Sequence, residues 1–119
     1  MAFAVEVIPG DARLFRRIHQ LHYDSASGKI SSAAFKDERM SVNWEKYSDA
    51  QTAADSNSIG VAALIADECS QLGQALEHTP IESDQPFGPN QSHSEICGRK
   101  TGSTSRQLRD IARLVWQRQ

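Results

Sequence analysis

The longest unbroken apolar run in the chain is GVAALIA at 60–66, which has strand length and predicts a buried strand. Met40, Val42 and Trp44 alternate with Ser41 and Asn43, so a second strand with one apolar face is expected there. Weaker alternation predicts strands in AFAVEVIP at 2–9, ended by Pro9-Gly10, in QALEHTPI at 74–81 and in SHSEIC at 92–97. Residues 11–24, DARLFRRIHQLHYD, fit two periods. A helix capped by Asp11 would align Leu14, Ile18 and Leu21, whereas a strand would set Phe15, Arg17, His19 and Leu21 against Leu14, Arg16, Ile18 and Gln20. From Ser103 to Trp116, Leu108, Ile111, Ala112 and Val115 form one stripe opposite Arg106, Arg109, Arg113 and Gln117, the pattern of an amphipathic helix docked on a sheet.

Turn chemistry divides the remainder. Ser48 can cap a short helix in DAQTAAD, and Asp67 can cap ECSQLG, which Gly73 stops. Residues 24–39 are rich in Ser, Gly and charge and predict a surface loop with a short element around Ile30 to Phe35. ESDQPFGPNQ at 82–91 predicts an exposed loop. The sum is a single α+β domain over 1–119, a small mostly antiparallel sheet of four to five strands with a C-terminal amphipathic helix packed on one face.

At 119 residues, 39% apolar and 24% charged, the chain has material for one modest core and no second domain. A formal charge of -2 gives no global field, so any nucleic-acid contact needs a local patch. The apolar N-terminal stretch is short and contains Glu6, unlike a signal peptide, and no apolar run approaches the roughly 20 residues of a membrane helix. Cys69 and Cys97 have no C-x-x-C spacing. They predict unpaired thiols in a reducing cytoplasm, with a single Cys69–Cys97 bridge as the alternative.

Candidate chemistry comes from three passages. After the strand at 92–97, Gly98 and Gly102 flank Arg99, Lys100 and Thr101 just before a helix start, where unpaired N–H groups favour an anion. The spacing differs from G-x-x-x-x-G-K-[ST], and solvated loop charges beside an ordinary cap are the plain alternative. His19 and His22 lie beside Arg16 and Arg17, and His93 lies two before Glu95, which supplies imidazoles near charge for acid–base work. A divalent ion on His19, His93 and Glu95 has no supporting ligand spacing, and neither a metal nor a cofactor is expected. Ser31, Ser32, Lys36 and Ser41 fall among Phe35, Met40 and Trp44 and could line a pocket. No G-x-S-x-G elbow supports covalent hydrolysis.

The blocks RRIH at 16–19, SSAAF at 31–35, MSVNW at 40–44 and SHSEICGRKT at 92–101 together resemble a group of small uncharacterised bacterial proteins. The resemblance implies a domain that stands alone, and it favours a strand, or a short helix turning into a strand, for residues 11–23. It implies no activity. Gln20 departs from the group, which has proline there.

Two functions are expected from these features. The first is a phosphate- or nucleotide-binding protein, with a possible extension to catalysis on a phosphorylated or nucleic-acid substrate. His19 and His93 would be the acid–base residues, and Arg17, Ser32, Arg99, Lys100 and Thr101 would bind the ligand. The second is a non-catalytic interaction module, adaptor or immunity-like. Six of the thirteen basic residues follow residue 98 against Asp110 alone, so Arg106, Arg109 and Arg113 could dock an acidic protein partner.

Overall fold

A computed structural model describes residues 3–84 and 88–118. In chain order the elements are β1 (Arg13–His19), β2 (Tyr23–Asp24), β3 (Lys29–Ile30), β4 (Arg39–Trp44), α1 (Ala50–Ala53), β5 (Ser58–Ile65), α2 (Ala66–Gln71), β6 (Ala75–His78), β7 (His93–Cys97), α3 (Gly102–Ile111) and β8 (Arg113–Gln117). Six strands form one sheet in the order β6-β7-β4-β1-β5-β8, with every pair antiparallel, and β2 and β3 make a separate two-residue hairpin.

The period-2 alternation of β1 sorts the two faces. Leu14 and Ile18 enter the main core with Phe35, Met40, Val42, Trp44, Leu64, Cys69, Ile96 and Leu108. Phe15 faces the other way and packs with Ala53 of α1, Val61, Ala63 and the partly buried Trp116. Helix α3 closes the main core chiefly through the 3-10 turn at Ser32–Phe35. Leu108 is fully buried and the Ser105 hydroxyl donates to the Phe35 carbonyl.

The ladder between β1 and β4 is short, with Leu14 opposite Trp44 and Phe15 opposite Asn43. Beyond it Arg16 fills the gap, donating from Nη1 to the Ser41 carbonyl at 2.9 Å and from Nε to the Ala34 carbonyl at 3.0 Å. A guanidinium thereby replaces the missing backbone pairing and joins both strands to the 32–35 turn. Burial holds Arg16 below its ordinary pKa, partly offset by Asp37.

The α+β class and the antiparallel sheet agree with the sequence pattern; Asp49 rather than Ser48 caps α1, Asp67 lies inside the first turn of α2 rather than capping it, and three larger details differ. Residues 3–9 form no ladder; the Glu6 N–H donates instead to the ring of His78, and its carboxylate is held by Lys46 and Tyr47. Alternation there reflects an extended segment with alternate exposure, Val5 and Val7 outward, rather than sheet pairing. The amphipathic helix ends at Ile111 and is not the last element, because the open edge of β5 takes the backbone of Arg113–Gln117 as a strand. Gly60 permits this: a Cβ there would lie 2.9 Å from the Trp116 carbonyl oxygen. With β8 the sheet has six strands rather than four or five. The expected loop at 82–91 includes residues 85–87, which lie outside the described residues; Ile81, just before the loop, bridges Asn90 near its end.

Phe35→Ala should lower unfolding stability by about 3–5 kcal/mol in urea titrations, since the cavity would open where the turn meets both the sheet and α3. An unchanged midpoint would mean that the turn is not part of the main core.

Candidate functional site

The second face carries a cavity of about 580 Å³ between α1 and the segment leading into β7. Its floor comes from the sheet. His93 of β7 pairs with Asn43 of β4, and Asn43 pairs with Phe15 of β1, so the three share a row across the face. Arg17, two residues beyond Phe15, points to the same side. Thr52, Ala53, Ala54 and Asp55 line the cavity from α1 and the turn after it, and Ile81, Pro89, Asn90 and Ser92 from the other wall.

One hydrogen-bonded chain sets the chemistry of the floor. A backbone N–H can only donate, so the amide of Ser92 fixes Asn90 Oδ1 as its acceptor at 3.0 Å. Asn90 Nδ2 must then donate, and at 2.8 Å it donates to Asn43 Oδ1. The Ser92 hydroxyl approaches the same oxygen at 2.9 Å. Asn43 is only 7% exposed, and with its oxygen committed its NH2 group is held in one orientation. That nitrogen has no acceptor among the described residues.

Arg17 supplies a cation of the same kind. Arg13, Arg16, Arg39, Arg109 and Arg118 all donate hydrogen bonds. The Arg17 guanidinium makes none among the described residues and reaches only an ion pair with Asp55 at 3.6 Å, beyond hydrogen-bond length. Asp55 Oδ1 is occupied by its own turn, accepting from the Ser58 hydroxyl at 2.8 Å and the Asn57 N–H at 3.0 Å. Burial by itself would raise the Asp55 carboxyl, but these two hydrogen bonds and Arg17 outweigh it and hold the group below the usual carboxylate range.

The expected site residues divide. Arg17 and His93 share the cavity. His93 is a wall residue with both nitrogens engaged: Nδ1 donates to the Thr79 carbonyl at 2.9 Å, which leaves Nε2 to accept from the Ser41 hydroxyl at 3.3 Å. Both of its nitrogens are therefore hydrogen-bonded to protein groups, and acid–base work there would first have to break one of these contacts. His19 does not line the cavity; its Nδ1 accepts from the Leu21 N–H and caps the turn after β1. Among the described residues no cluster of three His, Cys, Asp or Glu side chains could hold a metal ion.

The Gly98–Gly102 loop is built differently from the anion site its glycines suggested. Lys100 Nζ donates to the carbonyls of Glu38, Ile96 and Gly98, three acceptors for three N–H bonds. It is a staple holding the loop, and burial lowers its pKa. Thr101 caps α3 by accepting from the Thr104 N–H, and Arg99, two residues earlier, is exposed. Ser32 lies in the turn under α3, where its neighbour Ser31 supplies the cap. None of Ser32, Arg99, Lys100 and Thr101 lines the cavity.

The basic face also separates. Arg106 and Arg109 are on α3, with Arg109 paired to Asp110, whereas Arg113 begins β8 because the helix has already ended. The helix stripe that united all three does not exist.

Asn43, Asp55, Asn90 and Ser92 do not stand out in the sequence. The alternation in MSVNW puts Asn43 opposite the apolar face of β4, and that is its only signal. The Asn90–Asn43 contact spans 47 residues and leaves none. No protein family, curated protein or solved structure matches the chain. No helix is long and apolar enough to cross a membrane among the described residues.

The thiols are unbridged. Burial pushes Cys69 up to about 12, and burial together with the Glu77 carboxylate, which accepts from the thiol, pushes Cys97 up to about 11 from an ordinary 9.0. Because the folded state holds these protons more tightly, the associated stability is intact below pH 9 and is lost as the pH climbs toward 12. Alkylation of Cys97 at pH 8 should accordingly run about 100-fold slower than that of a free cysteine peptide, because the reactive thiolate is scarcer by that factor. Glu77→Ala should restore part of the rate, the share due to burial remaining. Equal rates for the native protein and the peptide would contradict the raised thiol.

Asn43→Ala should cost about 1–3 kcal/mol in chemical denaturation by leaving Asn90 Nδ2 without its acceptor. Asn43→Asp, which keeps that acceptor, should lose less.

Proposed function

We propose that the chain is a small-molecule-binding protein whose ligand carries a phosphate, held in the cavity over β1, β4 and β7. The observation that carries this reading is the pairing of two unspent donors. Arg17 has a guanidinium with no hydrogen bond among the described residues, and Asn43 has an NH2 group held in one orientation by the chain from Ser92. A fork of N–H donors and an amide donor lining one cavity suit an oxyanion, and a guanidinium binds phosphate oxygens in pairs. The volume of about 580 Å³ falls among cavities that take drug-sized or nucleotide-sized molecules. Ala53, Ala54, Ile81 and Pro89 offer apolar wall for the remainder of such a ligand.

The reading is one of binding. His93 contributes shape and a fixed polar edge, since Thr79 and Ser41 take its two nitrogens. Lys100 is engaged by carbonyls and Arg99 lies away from the cavity, so phosphate recognition rests on Arg17 rather than on the Gly98–Gly102 loop.

Isothermal titration with adenosine monophosphate and with simple alkyl phosphates tests this. Binding should fall roughly 10- to 100-fold in Arg17→Gln, the loss of charge-assisted hydrogen bonds worth about 1.5–3 kcal/mol. Arg99→Ala should bind as the native protein does. The Asn43 side-chain NH2 resonances should shift on titration. Absence of phosphate binding at millimolar concentration, or equal losses in the two arginine variants, would overturn the reading.

A further inference from the structure

The charges around the cavity balance. Among its lining residues, Arg17 and Asp55 are the only Arg, Lys, Asp or Glu, so a phosphate drawn to the guanidinium arrives beside a carboxylate. A plain phosphate dianion held by Arg17 therefore meets partial repulsion from Asp55. A ligand with a cation of its own offsets it.

Asp55 has the capacity to accept one. Its Oδ1 is saturated by Ser58 and Asn57, while Oδ2 has no hydrogen bond among the described residues and only the 3.6 Å approach of Arg17. The two opposite charges are thus close enough to attract yet too far apart to satisfy each other's hydrogen bonding. Neighbouring, half-exposed and each with hydrogen-bonding capacity to spare, they form a template for a molecule that also carries two opposite charges close together. Asn43, more than nine-tenths buried and with its NH2 unspent, gives a third contact on the anion side and fixes the ligand's direction.

We infer that the ligand is a zwitterion, a phosphate monoester bearing an ammonium group a few bonds from the phosphate, with phosphate oxygens on Arg17 and Asn43 Nδ2 and the ammonium on Asp55 Oδ2. This rests on the phosphate reading above and narrows it to aminoalkyl phosphates. Binding inserts the ligand between two ions already facing each other, so each partner exchanges a distant contact for a hydrogen-bonded one. The ammonium also offsets the repulsion that an uncompensated phosphate meets at Asp55.

Calorimetry with 2-aminoethyl phosphate, ethyl phosphate and β-alanine separates the possibilities. The first two share the anion and differ in the ammonium, while β-alanine keeps the ammonium and exchanges phosphate for carboxylate. The native protein should bind 2-aminoethyl phosphate at least about tenfold more tightly than ethyl phosphate, and β-alanine more weakly than either. Asp55→Asn retains the turn acceptor at Oδ1 and removes the charge. It should abolish the difference, weakening 2-aminoethyl phosphate and strengthening ethyl phosphate, whereas Arg17→Gln should weaken both. If the two phosphates bind equally and both depend on Arg17, the zwitterion inference is overturned and phosphate binding stands. If β-alanine binds and neither phosphate does, or if nothing binds, the phosphate reading is overturned and this inference with it.

Discussion

The structure depends on the alternation of β1 between its two sheet neighbours. Leu14 and Ile18 anchor the strand in the main core, and the same twofold period sends Phe15 and Arg17 to the opposite face. Slipping this strand by one residue would exchange the two sets, burying one arginine among aliphatic side chains and exposing the leucine. The register with β5, continuous from Arg13 opposite Ile65 to Ile18 opposite Gly60, holds it in place.

Adjacent arginines in that strand have opposite roles. Arg16 is half-buried against carbonyls where β1 and β4 part, and its hydrogen bonds substitute for a ladder. A guanidinium suits that position because its planar fork meets two carbonyls from different segments while remaining charged. Arg17 has no such acceptors and faces the cavity, where its charge is only loosely balanced by Asp55. The same side-chain type is thus structural at one position and available at the next, and the pleat decides which. Lys100 follows the first pattern: three carbonyls consume the donors that a glycine-rich loop seemed to offer to a ligand.

The core was largely legible. Strands β4, β5, β6 and β7 follow their apolar runs closely because burial on a pleated surface leaves a period-2 trace. Two elements misled for opposite reasons. The N-terminal alternation describes side chains that are alternately exposed, but pairing needs a free strand edge in register, and His78 takes the Glu6 N–H instead. Residues 112–116 continue a helical stripe, yet the edge of β5 offers their backbone a ladder that a lone sequence cannot display. Arg17 and His93 were visible as chemistry-bearing residues, whereas Asn43, Asn90 and Asp55 were not, since their value lies in which of their atoms remain uncommitted.

The chain's order of residues determined which segments are apolar, where glycine and proline interrupt them, and that the domain is α+β with an antiparallel sheet. These follow from local periodicity and turn preference, which act over a few residues. Tertiary structure alone decided that Arg17 and His93 face one cavity while His19 and Lys100 do not, and that the last strand completes the sheet. Each of those outcomes turns on hydrogen bonds between distant segments, where a donor's availability depends on every acceptor that folding brings near it.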